Sequence, residues 1–110
     1  AFKNKNFKKK IFSKNEIKQS KTKKNFFHFF AKRFAAKEAF SKALGTGIAK
    51  GLNFNEIEVK SSISGKPSIV ITGKSLKVIK KLTKKKKIKI FLSLTDETKY
   101  AIAMVIIAVL

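Results

Sequence analysis

Phe26–Leu44, FFHFFAKRFAAKEAFSKAL, runs for nineteen residues without a glycine or proline, and no other stretch constrains the fold as strongly. Phe27, Phe30, Ala31, Phe34, Ala35 and Phe40 recur at three- and four-residue spacing, which predicts an amphipathic helix. Gly45 predicts its end, because the residue past the last turn often turns left-handed and glycine does so without strain. Beyond that helix the period changes. FNEIEV and PSIVIT alternate with a period of two around the turn SGKP, predicting a hairpin over residues 54–72. Gly73 breaks the strand, and Leu76, Ile79 and Leu82 then predict a short amphipathic helix over residues 74–82. A lysine loop, residues 84–87, leads into IKIFLSL, which puts Ile88, Ile90, Leu92 and Leu94 on one face. TDET turns the chain into a last apolar strand. It shows no polar alternation after Tyr100, so cover on both faces is expected, from a central place in a sheet or from a subunit contact. Upstream, residues 1–25 suit a helix and a turn. There FSKNEI has the form of a capping box, with Ser13 as N-cap and Glu16 reaching back, so a second short helix starts at Lys14.

Helices, hairpin, helix, hairpin is an α+β order, with helices packed on a small, mostly antiparallel sheet. A chain of 110 residues suits one domain spanning 1–110, of a size that self-association would help. The 27 basic and 6 acidic residues give a net charge of +21, which attracts polyanions: nucleic acid, an anionic membrane face or an acidic protein. All the basic residues but Arg33 are lysine, beside many Phe, Ile and Asn, as AT-rich codons would supply. Arg33 therefore stands out, since its planar fork grips phosphate at two points. The absence of cysteine excludes disulfides and thiolate metal sites, and a reducing cytoplasm is expected. The apolar run of residues 100–110 is too short for the ~20 residues that cross a bilayer. One histidine and one aspartate leave little for a nucleophilic triad or a histidine zinc site, so His28 reads as a helix-face residue.

Glu38 and Lys42 stand one helical turn apart on one face. They make a surface ion pair, or they border a cleft in which the carboxylate is a hard oxygen ligand for Mg²⁺ and the ammonium neutralises a phosphate leaving group. GTG at residues 45–47 is no P-loop. It reads as a helix cap, or as a cap whose following turn, GIAKGL, offers free amides to a phosphate. The lysine-rich opening, interleaved with Phe7 and Phe12, suits docking of an acidic helix through weak, salt-sensitive contacts.

FFAKRFAAKEAFSKALGTGI, with GLNFNEIEV, GKP and SLTDETKYAIAMVII, resembles the holo-acyl carrier protein synthases, the small bacterial 4′-phosphopantetheinyl transferases, from about Lys3 to Ile107 in unbroken order. That resemblance implies transfer of the 4′-phosphopantetheine arm of coenzyme A to a serine of an acidic apo-acyl carrier protein. Adenosine 3′,5′-bisphosphate leaves, and Mg²⁺ sits on the diphosphate. It also implies an α+β homotrimer with its sites at subunit interfaces, working in the cytoplasm in lipid biosynthesis. In the family pattern Glu38 matches a metal ligand that also activates a water, and Lys42 the lysine beside the diphosphate. Arg33, Gly45, Gly47, Lys66 and Pro67 match the coenzyme A pocket, and Lys10 and Lys14 the carrier-protein docking helix.

The sequence also departs from the family. Members open with a strand like GxGxDIxEI, whose aspartate is a second metal ligand, and this chain opens after it. The expectation is an N-terminally truncated domain in which Glu38 holds Mg²⁺ poorly. Thr95 or Asp96 stands where the family often has a histidine. The other readings are a basic nucleic-acid-binding protein, which needs aromatics free to stack, and a catalytically weak remnant that still trimerises.

Overall fold

The computed structural model describes residues 4–45, 51–96 and 101–110, the side chain of Asp96 apart. The first helix, α1 (Lys5–Ile11), starts where the Asn4 side chain accepts hydrogen bonds from the amides of Asn6 and Phe7. The second, α2 (Lys14–Ser20), carries the expected capping box: Glu16 N donates to Ser13 Oγ at 3.1 Å and Ser13 N to Glu16 Oε1 at 2.9 Å. The long helix α3 (Phe26–Leu44) ends at Gly45, whose φ of 77° is the left-handed turn foreseen for it.

One adjustment concerns which phenylalanines of α3 point inward. Phe29 and Phe30 are buried and Phe27 is 55% exposed. Within FFHFF the four phenylalanines spread over about 160° of the helix, so spacing alone does not choose among them. Burial selects the stripe Phe29, Phe30, Arg33, Ala36, Lys37, Phe40 and Ser41, which admits two cations to the inner face.

Lys37 explains that stripe. Its ammonium is wholly buried and donates to Glu16 Oε1 at 2.7 Å, to the Phe54 carbonyl at 2.8 Å and to the Ile57 carbonyl, so each of its three protons has an acceptor. Glu16 Oε2 in turn accepts from Val59 N at 2.9 Å. One buried ion pair thus ties α2 and α3 to the start of β1 (Ile57–Ser61). Burial lowers the Lys37 pKa, and the charge and hydrogen bond of Glu16 draw it back up.

The same bonds account for a second difference from the sequence pattern. Residues Phe54–Glu56 form a 3-10 turn instead of the opening of a strand. The Phe54 carbonyl is held by Lys37, and the Glu56 carboxylate turns aside to cap the next helix. β1 pairs antiparallel with β2 (Pro67–Ile71), Ile57 opposite Ile71.

After β2 comes α4 (Gly73–Leu82), whose N-cap Thr72 makes no side-chain bond. Glu56 substitutes, accepting from Lys74 N at 3.0 Å, Ser75 N at 3.1 Å and Ser75 Oγ at 2.9 Å, while Asn53 Nδ2 holds the same carboxylate at 3.0 Å. A carboxylate at a helix N-terminus meets unpaired amides and the positive end of the helix dipole. Gly73 has φ +61°, and a Cβ there would overlap that carboxylate, so the cap needs glycine. Partial desolvation raises the Glu56 pKa, but the hydrogen bonds from Asn53, Ser75 and Lys74 outweigh it and leave it below the ordinary value of 4.5.

The long hairpin β3 (Ile88–Asp96) and β4 (Ala101–Val109) pairs Ile88 with Val109 and Leu92 with Val105. Its inner residues Ile88, Ile90, Val105 and Ile107 pack on a core of Phe40, Leu52, Phe54, Ile57 and Ile79. A second cluster, Phe12, Phe29 and Phe30, sits beneath the short helices, and Phe34 packs against both. Cover on both faces of β4 is not found within one chain, because Ile102, Met104 and Ile106 on the outer face are more than half exposed. Among the described residues no helix is long and apolar enough to cross a membrane.

Two outcomes follow. Glu16→Gln or Lys37→Met, each leaving a buried partner uncompensated, should cost about 3–5 kcal/mol in urea unfolding, and the double replacement Glu16→Leu with Lys37→Met less than the sum. For Glu56, whose folded pKa is lowered, the stabilisation is full above about pH 4.5 and is lost as pH falls through the lower folded value. The melting-temperature gap between the wild type and Glu56→Gln should therefore be widest near pH 6 and close on acidification.

Candidate functional site at the end of the long helix

Because Lys37 is drawn into the interior, the next residue is rotated by about 100° to the rim of α3. Glu38 stands there half-buried. Lys42, one turn on, is exposed, and among the described residues no ion pair joins the two. The backbone beneath them is held at two points: Ser41 Oγ donates to the Glu38 carbonyl at 2.9 Å, and Gly45 N to the Lys42 carbonyl at 2.9 Å. Glu38, Lys42 and Gly45 all lie within about 60° of one another round the helix, so the rim presents a carboxylate, an ammonium and a tight turn together. Among the described residues, the chain neighbours of Gly45 apart, no atom lies within 4 Å of a Cβ placed on it.

Gly47 and Thr46 lie outside the described residues. Lys66 is exposed in the turn before β2, where Lys66 N donates to Ser62 Oγ at 3.1 Å and the Lys66 carbonyl accepts from Ser62 N at 3.0 Å. Pro67 opens β2 half-buried opposite Ser61, where its missing N–H is tolerated. Among the described residues neither touches Glu38 through a hydrogen bond or ion pair. Arg33 is five residues before Glu38, about 140° away round α3, and 6% exposed. Its guanidinium carbon lies 3.8 Å from the centroid of the Phe29 ring. Burial lowers its pKa, offset by the charge of Glu16.

The docking candidates part company. Lys14 borders a groove of about 630 Å³ with Lys9, Lys18 and Lys21, floored by Phe12 and Ile17. Lys10 borders a smaller hollow with Asn4, Asn6 and Phe7. The sequence reading included Lys9 among the lysines of the opening and passed over Lys18 and Lys21, which the fold brings to the same groove. Their positions four and seven residues after Lys14, one and two helical turns on, were the available signal, masked by the abundance of lysine elsewhere.

As a metal centre the rim supplies one carboxylate. Among the described residues no three acidic or histidine side chains gather about a point. Glu38 therefore fits Mg²⁺ only as one ligand among several, which suits an ion that commonly takes one or two carboxylates and fills its shell with water and substrate phosphate.

A family described as the 4′-phosphopantetheinyl transferase superfamily matches residues 2–105. The chain is 50% identical over 107 residues to a holo-[acyl-carrier-protein] synthase of Pelagibacter ubique, covering 97% of this chain and 84% of that relative. Its fold is similar to the crystal structure of holo-[acyl-carrier-protein] synthase from Neisseria meningitidis, with a TM-score of 0.82 at 30% identity over 96% of this chain and 82% of that one. It is also similar to the Bacillus anthracis enzyme solved in complex with CoA (3′,5′-ADP), with a TM-score of 0.75 at 34% identity over 93% and 79%.

Proposed function

The chain belongs to the holo-[acyl-carrier-protein] synthase family of 4′-phosphopantetheinyl transferases, and from that premise we propose that Glu38 and Lys42 carry the transfer of 4′-phosphopantetheine from coenzyme A to a serine of an apo-acyl carrier protein. The observation that carries this assignment is the half-buried carboxylate of Glu38, unpaired with the lysine one turn above it, on a rim that ends in a glycine turn. A surface ion pair would have used it up.

In the reaction the serine oxygen bonds to the phosphorus that bears the pantetheine arm. The bond to the bridging oxygen breaks, and adenosine 3′,5′-bisphosphate leaves. Bound Mg²⁺ would neutralise the diphosphate, with Glu38 the residue of this chain that would hold it. Glu38 also polarises a water that takes the serine proton, the work of a general base placed by the helix. Lys42 brings its ammonium to the charge that builds on the leaving phosphate. Gly45 keeps the approach clear, and Gly47, Lys66, Pro67 and Arg33 complete the coenzyme A pocket.

Lys14, with Lys9, Lys18 and Lys21 round an apolar floor, suits an acidic amphipathic helix, which is how the carrier protein would be received. Lys10, on a separate hollow, adds long-range attraction. The protein acts in the cytoplasm, as one domain per chain, in a homotrimer. The outer face of β3 and β4 supports that assembly: Phe91 is 47%, Ile102 51%, Met104 62% and Ile106 57% exposed, and Phe91 pairs directly with Ile106. So continuous an apolar surface on so cationic a chain asks for cover by another copy.

With coenzyme A, Mg²⁺ and apo-carrier protein, intact mass spectrometry should record the mass gain of holo-carrier. Glu38→Gln should slow it about 10²-fold or more, while its unfolding free energy stays within about 0.5 kcal/mol of wild type. An equal rate in the variant would remove Glu38 from the chemistry. In sedimentation the wild type should run as a trimer, and Met104→Lys should shift it toward the monomer.

A further inference from the structure

The end of α4 and the loop after it concentrate charge of one sign. Lysine fills nine of the sixteen positions 74–89, and no acidic residue stands between Glu58 and Asp96. AT-rich coding would raise the number of lysines, but it does not decide where the fold brings them together. Here α4 closes in a tight turn: Lys85 N donates to the Lys80 carbonyl at 2.7 Å and Lys84 N to the Lys81 carbonyl at 3.2 Å. Lys84 and Lys85 have φ of 53° and 62°, a left-handed conformation that usually falls to glycine. In caps of this kind the residues in the places of Lys80 and Lys85 commonly make an apolar contact. Both are lysine in this chain, so the turn draws like charges together instead. Lys80, Lys81 and the four lysines at 84–87 are exposed, and among the described residues none of them forms an ion pair. Holding like charges close is unfavourable, and an anionic surface relieves it.

Aliphatic side chains sit among these lysines. Leu110 N donates to the Lys87 carbonyl at 2.8 Å and Ile88 pairs with Val109, which brings the end of β4 alongside the loop. Leu82, Val109 and Leu110 are exposed there. A nucleic-acid backbone offers such side chains nothing to bury against. The stacking that holds single strands needs aromatic rings, and none stands at residues 80–88 or 109–110. A bilayer surface meets both needs, with headgroup phosphates for the ammonium groups and acyl chains for the aliphatic ones.

We propose that the end of α4, the loop at 84–87 and the end of β4 form a docking surface for an anionic phospholipid bilayer. The lysines supply the attraction, and Leu82, Val109 and Leu110 insert shallowly. None of these residues belongs to the rim at Glu38 or to the groove at Lys14, so this surface is independent of the transferase reading.

The chain has no tryptophan, so Leu82→Trp installs a single reporter at the contact. With phosphatidylcholine vesicles containing about 30% phosphatidylglycerol, at about 0.15 M salt, its emission should shift to the blue. With phosphatidylcholine alone it should not. Ile63→Trp, at a wholly exposed position in the turn between β1 and β2, should stay unshifted with either. No shift for Leu82→Trp, or an equal shift for both variants, overturns the proposal.

The net charge of +21 would by itself draw the chain to anionic vesicles, so charge-matched variants test the location. Lys84→Gln, Lys85→Gln, Lys86→Gln and Lys87→Gln together should weaken partitioning about 10²-fold or more, at roughly fivefold for each lysine. Lys5→Gln, Lys23→Gln, Lys24→Gln and Lys60→Gln, at four exposed positions, remove the same charge and should weaken it less than about tenfold. Equal losses would mean diffuse attraction and contradict the proposal. Binding of a random single-stranded oligonucleotide that depends on the lysines at 84–87, with no vesicle-induced shift for Leu82→Trp, would assign the surface to nucleic acid and also contradict it.

Discussion

The buried contact of Lys37 with Glu16 is the constraint from which most of this structure follows. Two charges taken from water are expensive, and such a pair is tolerated when every donor and acceptor finds a partner. Here they do. Lys37 spends its protons on Glu16 and two carbonyls, and Glu16 spends its oxygens on Ser13, Lys37 and Val59. An apolar pair of similar volume could fill the same space. It could not also fix the rotation of α3, end the 3-10 turn at Glu56 and hold the Val59 amide of β1, because packing has no direction and these bonds do. Turning Lys37 inward is what leaves Glu38 on the rim.

The parts legible in the sequence were those decided locally. A capping box needs only Ser13 and Glu16, three residues apart, and a helix end needs only Gly45 in a left-handed conformation. Both appear where spacing and residue type put them. What escaped depends on partners far along the chain. That Glu16 would cap a helix was readable, but its burial depends on Lys37 and Val59, 21 and 43 residues away. The inward stripe of α3 was misplaced by counting only apolar residues, which credited Phe27 and passed over Arg33 and Lys37. Alternation in FNEIEV suggested strand from Phe54, but its Glu56 was claimed by the α4 cap and its first carbonyl by a lysine. Of the site, the helix-face placing of Glu38 and Lys42 was legible from their spacing. Their lack of mutual pairing was not, since spacing alone describes an ion pair equally well.

Charge in this molecule has several jobs. Most lysines are solvated and supply a long-range field that draws an acidic partner whatever its detailed shape. The groove edged by Lys9, Lys14, Lys18 and Lys21 over Phe12 and Ile17 is where the proposed docking of an acidic amphipathic helix would give that attraction an address. The two cations removed from solvent differ again. Lys37 is fully paired and structural, and Arg33 lies over the Phe29 ring with its buried Nε without a hydrogen-bond partner among the described residues.

The claim on which the functional account rests is that the Glu38 carboxylate meets a divalent ion when the diphosphate is present. Carboxyl-carbon resonances observed with Mn²⁺ as a paramagnetic substitute, with and without coenzyme A, test it most directly. The account predicts selective, coenzyme A-dependent broadening of Glu38, with Glu16, Glu56 and Glu58 sharp. A Glu38 signal that stays sharp with coenzyme A bound would contradict it.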